Sequence, residues 1–182
     1  MAKINDFLEI TCPNKTIIFA TDMQLYRLSY ESPIGTLAIY SYGRALCRIE
    51  IASQNFICDS QNEALQIFAE TELWLDTYFS GVRPDFTPRL ELCGTDFQKK
   101  VWTELLSVPF GQTATYGEIA KRIGCKSAQA IGQAVGNNPI LIIVPCHRIV
   151  ATNRKLGGFS AGIERKKWLL ENEGFENLTS LS

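Results

Sequence analysis

Short stretches of alternating hydrophobic and polar residues in the first half of the chain predict β-strands. Residues 26–30 and 36–40 flank a turn at 32–35 that contains Pro and Gly, and residues 46–51 form a third candidate strand. Because the three segments follow one another closely, we expect them to pair as a small antiparallel meander.

The pattern changes to a helical period over residues 63–80. Apolar side chains recur there at close to the spacing of one helix face, and Gly81 is a natural end point. Residues 81–94 are rich in Pro and Gly and have no clear period, which is typical of a linker. We therefore predict an N-terminal domain over 1–92, linker included, and a second domain over 93–182.

Capping signals mark the helices of the second half. Thr95 with Gln98, and Thr115 with Glu118, have the spacing of capping boxes. The first box precedes apolar residues at helical spacing, and the second opens a short helix. The helices with predicted bounds in this half are 116–122, 128–135 and 163–172.

Two of these helices form a helix-turn-helix candidate. Ser127 can cap the helix over 128–135, and a glycine-containing turn separates it from the helix before. Lys121, Arg122 and Lys126 lie in or beside that turn. Helical hairpins of this spacing also occur in proteins that do not bind DNA, so tight packing between helices remains an alternative to a DNA-binding role.

The charge distribution supports a polyanionic partner, although the net charge is only −1. Residues 1–98 contain 7 basic and 13 acidic side chains, whereas residues 99–167 contain 11 basic and 3 acidic ones. Such asymmetry is the electrostatic footprint expected on a nucleic-acid-binding half. A solvated basic surface without any partner stays open as the alternative.

Composition narrows the class of protein. A chain of 182 residues with 46% apolar and 20% charged side chains is typical of globular proteins. No apolar run is long enough to span a bilayer and no signal-peptide pattern is present, so we expect a cytoplasmic protein without membrane association. One histidine and six cysteines without a CxxC pair predict reduced thiols rather than disulfides or a zinc site. Four cysteines are interpreted as structural: Cys12, Cys47, Cys58 and Cys93.

The only histidine directly follows a cysteine, at Cys146 and His147, after an apolar run at 140–144 that predicts a buried strand. The thiolate is the nucleophilic form of cysteine, and a nearby base can generate it. Adjacent side chains of an extended chain point to opposite sides, so a bridging water or a sharp bend would have to connect the two. An inert buried cysteine and a core histidine remain alternatives, and Cys125, just before a helix, is a rival nucleophile.

A histidine used as a base needs a partner, usually a carboxylate, to orient its ring. The acidic candidates in the second half are Glu104, Glu118, Glu164, Glu171, Glu173 and Glu176.

The segment 145–150, Pro-Cys-His-Arg-Ile-Val, resembles the PCHRV active-site signature of the O6-alkylguanine-DNA alkyltransferases. The resemblance extends over residues 95–174 and continues more loosely at 32–37. It implies an α+β fold, in which a small RNase H-like N-terminal α/β domain with an antiparallel sheet precedes a mainly helical C-terminal domain. That second domain would carry a winged-helix-like helix-turn-helix.

The resemblance also implies an activity, DNA repair by direct reversal of damage. Members of this family bind double-stranded DNA, flip an O6-alkylguanine into a pocket and transfer its alkyl group irreversibly to a cysteine; O4-alkylthymine is a poorer substrate. Each molecule acts once and uses no cofactor. We expect this chain to do the same as a monomer, and we expect no metal, because the zinc-binding histidines of some relatives are absent.

Roles carry over to matching positions. Cys146 would accept the alkyl group, His147 would act as the base through water, and Glu173 would orient His147. Tyr116 would donate a proton toward the departing guanine, and Asn138 would hinge the helix-turn-helix to the active-site strand. Arg148 is interpreted as structural.

The resemblance assigns further residues to substrate and DNA. The carbonyls of Cys146 and Ile149 would accept from the guanine amine, the Ser160 amide would face O6, and Phe159 would form a stacking wall. The DNA-binding set is Ser127, Ala128, Gln129, Lys121, Arg122 and Lys126.

Two positions depart from the family pattern. Gln129 stands where many members have the arginine that fills the space of the flipped base, and Phe159 stands where tyrosine is common. These departures keep open a second hypothesis, a lesion-binding or regulatory protein without efficient transfer. A third hypothesis is a cysteine hydrolase that uses Cys146 and His147.

Overall fold

The N-terminal half is a three-stranded antiparallel sheet followed by a long helix. The computed structural model describes residues 24–54, 56, 65–152 and 155–175, together with the backbone of a two-stranded antiparallel pair at 11–12 and 15–16. The elements of this half are β1 (Thr11–Cys12), β2 (Lys15–Thr16), β3 (Tyr26–Tyr30), β4 (Leu37–Ser41), β5 (Leu46–Ile51) and α1 (Gln66–Phe79).

The predicted meander is confirmed, with β4 in the centre between β3 and β5. The strand expected over 36–40 begins one residue later, because the ladder starts where Leu37 pairs with Tyr30 and Ile51. Helix α1 lies within the predicted 63–80 segment, of which residues 63 and 64 lie outside the described part. Gly81, at φ +80°, takes the left-handed conformation that ends the helix.

The C-terminal half is mainly helical. Both predicted capping boxes are present, and the Ser127 hydroxyl accepts the Ala130 amide as a further cap. The helix expected over 128–135 extends one residue further. The elements are α2 (Asp96–Leu105), β6 (Ala114–Thr115), α3 (Tyr116–Arg122), α4 (Ala128–Gly136), a 3₁₀ turn (Cys146–Arg148), β7 (Ile149–Val150, parallel to β6) and α5 (Ile163–Asn172).

The buried strand predicted over 140–144 is wrong. These residues are buried, but only Ile140 pairs, through a single bridge to Ile49 of β5. The chain then folds back on itself, with the Val144 amide bonded to the Ile140 carbonyl at 3.1 Å and with Ile142 at φ +71°. Periodicity cannot distinguish a buried strand from a buried turn in so short an apolar run. Cys146 therefore follows a tight turn rather than an extended strand.

Residues 81–94 are irregular, as predicted, but they are not a loose tether. Leu46 in β5 donates to the Arg89 carbonyl at 2.8 Å and accepts from the Glu91 amide at 2.7 Å. Buried residues of both halves, from Leu28 to Leu169, form one continuous hydrophobic cluster. In the parts of the chain that the structure describes, no helix has the length and apolar character needed to cross a membrane.

Candidate active site

A buried carboxylate organises the site. Glu173 accepts from Nε2 of His147 at 2.6 Å and from Nε of Arg148 at 2.9 Å. The same carboxylate accepts from the Tyr78 hydroxyl at 2.7 Å and from the backbone amide of Gly111 at 3.0 Å. Gly111 has φ +72°, and a Cβ there would lie 2.9 Å from the Glu173 carbonyl oxygen, so the close approach requires glycine. Of the carboxylates considered from the sequence, Glu173 is therefore the one that lies beside His147.

The hydrogen bonds define the tautomer of the histidine. At 2.6 Å, Nε2 must carry the proton that Glu173 accepts, because two lone pairs facing each other would repel. The other ring nitrogen, Nδ1, is buried and has no hydrogen-bond partner among the described residues. A neutral His147 therefore presents an unprotonated Nδ1 as a base.

Burial favours that neutral state. Burial lowers the pKa of His147; Glu173 raises it, and the cations of Arg148 and Lys166 lower it further. Burial alone would raise the pKa of Glu173, but the hydrogen bonds from His147 and Arg148 and the charge of Arg148 lower it to about 2. At neutral pH the cluster consequently holds an ionised carboxylate, a guanidinium ion and an uncharged imidazole.

Asn138 connects the end of α4 to the cysteine. Its side-chain amide donates to the Val144 carbonyl at 2.8 Å and to Sγ of Cys146 at 3.0 Å, while its Oδ1 accepts from the Ile140 amide at 3.0 Å. The predicted hinge position of Asn138 therefore exists, although it joins α4 to a turn and not to a strand.

Cys146 is only 3% exposed. Burial raises the pKa of its thiol to about 11, although the Asn138 hydrogen bond and the Lys166 charge favour the thiolate. The resting residue is a thiol, and its proton has to be removed during the reaction.

Lys166 in α5 is fully buried beneath the cysteine turn. Its ammonium donates to the carbonyl of Ile149 at 2.5 Å and to that of Leu156. No carboxylate of the described residues forms an ion pair with it. Burial lowers the pKa of Lys166 to about 8, an effect that the charge of Cys146 opposes. Lys166 thus places a buried positive charge that favours the thiolate of Cys146.

The sulfur lines a cavity of about 230 Å³. Three of the predicted substrate and catalytic residues, Tyr116, Phe159 and Ser160, share this cavity with Cys146. Ile149 does not line it, and its carbonyl already accepts from Lys166. The slim face of α4 completes the lining with Gly132, Val135 and Gly136.

The predicted DNA-binding residues form an exposed surface at α3, the turn and the start of α4. The charge of Arg122 is shared with Glu104, 3.4 Å away. The Lys100 ammonium bonds the Ile123 carbonyl at 2.8 Å and so supports the C-terminal end of α3. Cys125, the rival nucleophile, is outside the cavity, and its sulfur accepts from the Ser127 amide at 3.4 Å.

The remaining cysteine and carboxylate candidates lie elsewhere. Cys47 and Cys93 are partly buried and do not line the cavity. Glu104 of α2 accepts from Arg122 of α3, and Glu118 accepts from the Thr115 amide at the start of α3. The side chains of Cys12, Cys58 and Glu176 lie outside the described residues.

Sequence reasoning missed Tyr78 and Lys166. Tyr78 meets Glu173 across 95 residues of chain, and no local pattern reports such a contact. Lys166 precedes a second lysine on α5 in an otherwise ordinary amphipathic helix, and only packing distinguishes the buried one from its neighbour. Arg148, interpreted as structural, is also the ion-pair partner of Glu173.

Two family profiles match the chain. Residues 25–92 match the ribonuclease-like domain of 6-O-methylguanine DNA methyltransferase, and residues 96–175 match the DNA-binding domain of the same protein. A methylated-DNA–protein-cysteine methyltransferase of Mycobacterium leprae is 42% identical over 160 residues, which is 85% of this chain and 95% of that protein. One from Methanosarcina acetivorans is 40% identical and covers 82% and 99%, respectively.

Solved structures agree with the sequence relatives. The crystal structure of Mycobacterium tuberculosis O6-methylguanine methyltransferase superposes with a TM-score of 0.74 at 38% identity, over 87% of this chain and all of that one. A crystal structure of Mycobacterium tuberculosis OGT in complex with DNA superposes with a TM-score of 0.73 at 37% identity, over 86% and 98%.

Proposed function

This chain belongs to the 6-O-methylguanine DNA methyltransferase family, and from that premise we propose that it repairs O6-alkylguanine in double-stranded DNA. The alkyl group moves irreversibly onto Cys146, so each molecule acts once, and O4-alkylthymine is a poorer substrate. The observation that carries the proposal is the cavity lined by Cys146, whose neighbour in the chain, His147, bonds Glu173.

The first chemical step is removal of the thiol proton. Because the thiol rests protonated and Nδ1 of His147 has no partner in the described part of the chain, the proton passes through a water molecule to Nδ1. Glu173 stabilises the imidazolium that forms, while Asn138 and Lys166 stabilise the thiolate. His147 is therefore a base that works through its ring nitrogen remote from the carboxylate.

The second step moves the alkyl group. The thiolate attacks the alkyl carbon, so the S–C bond forms while the O6–C bond breaks and its electron pair stays with guanine. Tyr116, beside Cys146 in the cavity, donates its hydroxyl proton toward the departing base and regains a proton from solvent, while His147 releases the proton of the thiol to solvent. Burial raises the pKa of Tyr116, and the charge of Cys146 raises it further, which keeps the hydroxyl protonated until guanine leaves. No cofactor enters this balance.

The cavity fits a base that has been rotated out of the duplex. An alkyl group at O6 cannot be reached inside the base stack, so extrusion at a cost of a few kcal/mol must precede transfer. Phe159 supplies an aromatic wall, and the Ser160 amide faces O6. Ile149 contributes through its carbonyl, which holds Lys166 and retains one lone pair.

The helix-turn-helix surface holds the DNA. Helix α4 begins with Ala128 and Gln129 and is capped by Ser127. Lys121 and Lys126 lie beside this end of the helix, in the basic part of the chain. Lysine and arginine contacts to phosphates supply affinity, and Gln129 fills the space that the extruded base leaves.

The organisation of the chain forms part of the proposal. The domains meet at residues 92 and 93, and the protein acts as a monomer in the cytoplasm. The family profiles leave a boundary close to that point, and the free thiol that transfer requires is the form of cysteine that a reducing compartment maintains.

Transfer from a labelled O6-methylguanine duplex tests the function. The wild type should take up one equivalent of label and then stop, and Cys146→Ala should take up none. Cys125→Ala serves as the matched control and should behave as wild type. Tight binding of the duplex without uptake would favour the lesion-binding alternative, while turnover of an ester beyond one equivalent would favour a hydrolase.

A further inference from the structure

Tyr78 places a hydroxyl from the N-terminal half inside the catalytic cluster. It is the penultimate residue of α1 and is fully buried. Its oxygen lies 2.7 Å from Oε1 of Glu173 and 3.2 Å from Nε2 of His147. The two catalytic partners are 95 and 69 residues away in sequence, so this contact exists only because the two halves pack together.

The position of the hydroxyl is fixed by the packing of the ring. Tyr78 stacks on Trp74 with ring centroids 5.3 Å apart and an angle of 7°. Its ring meets Phe110 and the imidazole of His147 edge to face, at 5.9 and 6.3 Å. A ring held on several sides cannot rotate its oxygen away without breaking these contacts.

The donors and acceptors leave one arrangement. Because Nε2 of His147 gives its proton to Glu173, it has no lone pair for a second donor, and the Tyr78 proton must go to Oε1. A histidine flipped to the other tautomer would compete for that proton. We infer that Tyr78 is a positioning residue of the transfer reaction, which holds Glu173 and His147 in the tautomer that keeps Nδ1 unprotonated. This inference rests on the proposed function.

Removing the hydroxyl should change the basicity of the histidine. The groups that face the imidazole are Tyr78 of α1, Lys166 of α5, Glu173 after α5, and Cys146 and Arg148 of its own turn. Without the Tyr78 proton, the Glu173 carboxylate is less satisfied and attracts an imidazolium more strongly. The pKa of His147 should therefore rise, and the base should be lost at a higher pH.

Tyr78→Phe tests this with the ring and its packing retained, and Tyr30→Phe is the matched control. Tyr30 also donates its hydroxyl to a carboxylate of α1, that of Asp76 at 2.6 Å, but it does not line the cavity. The chain has a single histidine, so ¹⁵N labelling of histidine gives one pair of ring signals that report tautomer and pKa directly. The second readout is the transfer rate from O6-methylguanine duplex across pH 5–9.

We expect the wild type to show the Nε2–H tautomer. Tyr78→Phe should transfer roughly tenfold more slowly near neutral pH, and the acidic limb of its rate profile and the histidine titration should both move to higher pH. Tyr30→Phe should match the wild type. An Nδ1–H tautomer in the wild type, which requires no variant to fold, would overturn the inference. So would a folded Tyr78→Phe with unaltered rate and titration, whereas failure of the wild type to transfer would instead refute the proposed function.

Discussion

At the residue scale, the site keeps the nucleophile protonated at rest and uses other groups to ionise it during the reaction. Burial keeps Cys146 protonated at rest, which protects a sulfur that can react only once. Three groups can favour its ionisation: the Asn138 amide that donates to the sulfur, the buried ammonium of Lys166, and Nδ1 of His147, which has no partner among the described residues. Reactivity should therefore depend on groups that never touch the alkyl carbon.

Lys166 is the clearest case, because its charge favours the Cys146 thiolate and no carboxylate of the described residues pairs with it. Lys166→Met should raise the pKa of the Cys146 thiol and slow its reaction with iodoacetamide severalfold at pH 7. The difference from wild type should narrow above about pH 8, where Lys166 loses its own proton. The measurement is the alkylation rate of Cys146 against pH.

Lys167→Met is the control for this experiment, since Lys167 is the next residue on the same helix and pairs with Glu164 at the surface. It should react as the wild type does. Equal rates for Lys166→Met and Lys167→Met at pH 7 would refute the electrostatic role of Lys166.

At the scale of elements, local signals in the sequence were sufficient for the helices but not for the turn that carries the cysteine. Thr115 and Glu118 cap α3 as predicted, because a capping box is a contact within one helical turn. The run at 140–144 does not form the predicted strand, because its conformation depends on Asn138 and on the bridge to β5. The helix-turn-helix could thus be derived from the sequence, while the conformation of the turn that positions Cys146 could not.

One of the two departures from the family pattern, Gln129, lies on α4 and bears directly on DNA binding. Gln129 is exposed near the start of α4, and Gln129→Arg should add one phosphate or base contact there. We expect faster transfer from duplex and a binding constant whose logarithm falls more steeply with the logarithm of salt concentration, by about 0.9. Transfer from the free base O6-methylguanine should not change, because that reaction needs no DNA contact.

Gln133→Arg provides the matched control, because it places the same charge one turn further along the exposed side of α4. Its effect on duplex transfer should be smaller. If both variants accelerate duplex transfer equally, then added charge alone explains the gain and Gln129 has no special position.

At the scale of the whole molecule, the active site lies at the interface between the two halves. Tyr78 from α1 and Glu173 at the end of α5 meet on His147, and the same region of the interface is closed by Asn172 bonding the Tyr78 carbonyl at 2.7 Å. The RNase H-like and helical parts were predictable from strand and helix patterns and from family resemblance. Their shared site was not, because its key contacts join residues 69 and 95 positions apart.

The buried Glu173 at this interface should make the free energy of unfolding depend on pH in the acid range. The pKa of Glu173 is about 2 in the folded protein and ordinary, near 4.3, in the unfolded chain. Its contribution is fully present above the unfolded value and is lost as the pH falls toward the folded value. The free energy of unfolding of wild type should exceed that of Glu173→Gln by about 3 kcal/mol at pH 7, and the gap should close between about pH 4.5 and pH 2.

Chemical denaturation at several pH values measures this gap. Glu164→Gln, on the exposed side of α5, is the control and should differ little from wild type at any pH. A gap between wild type and Glu173→Gln that stays constant from pH 7 to pH 2 would show that the carboxylate is not ionised and paired in the folded protein.

Peptide mass mapping after incubation with an O6-methylguanine duplex tests the central claim most directly. The account predicts that the peptide containing Cys146 gains one methyl group in place of a hydrogen, in one equivalent per molecule, while the peptides containing Cys47, Cys93 and Cys125 keep their masses. An unchanged Cys146 peptide, or a methyl group found on Cys125, would contradict it.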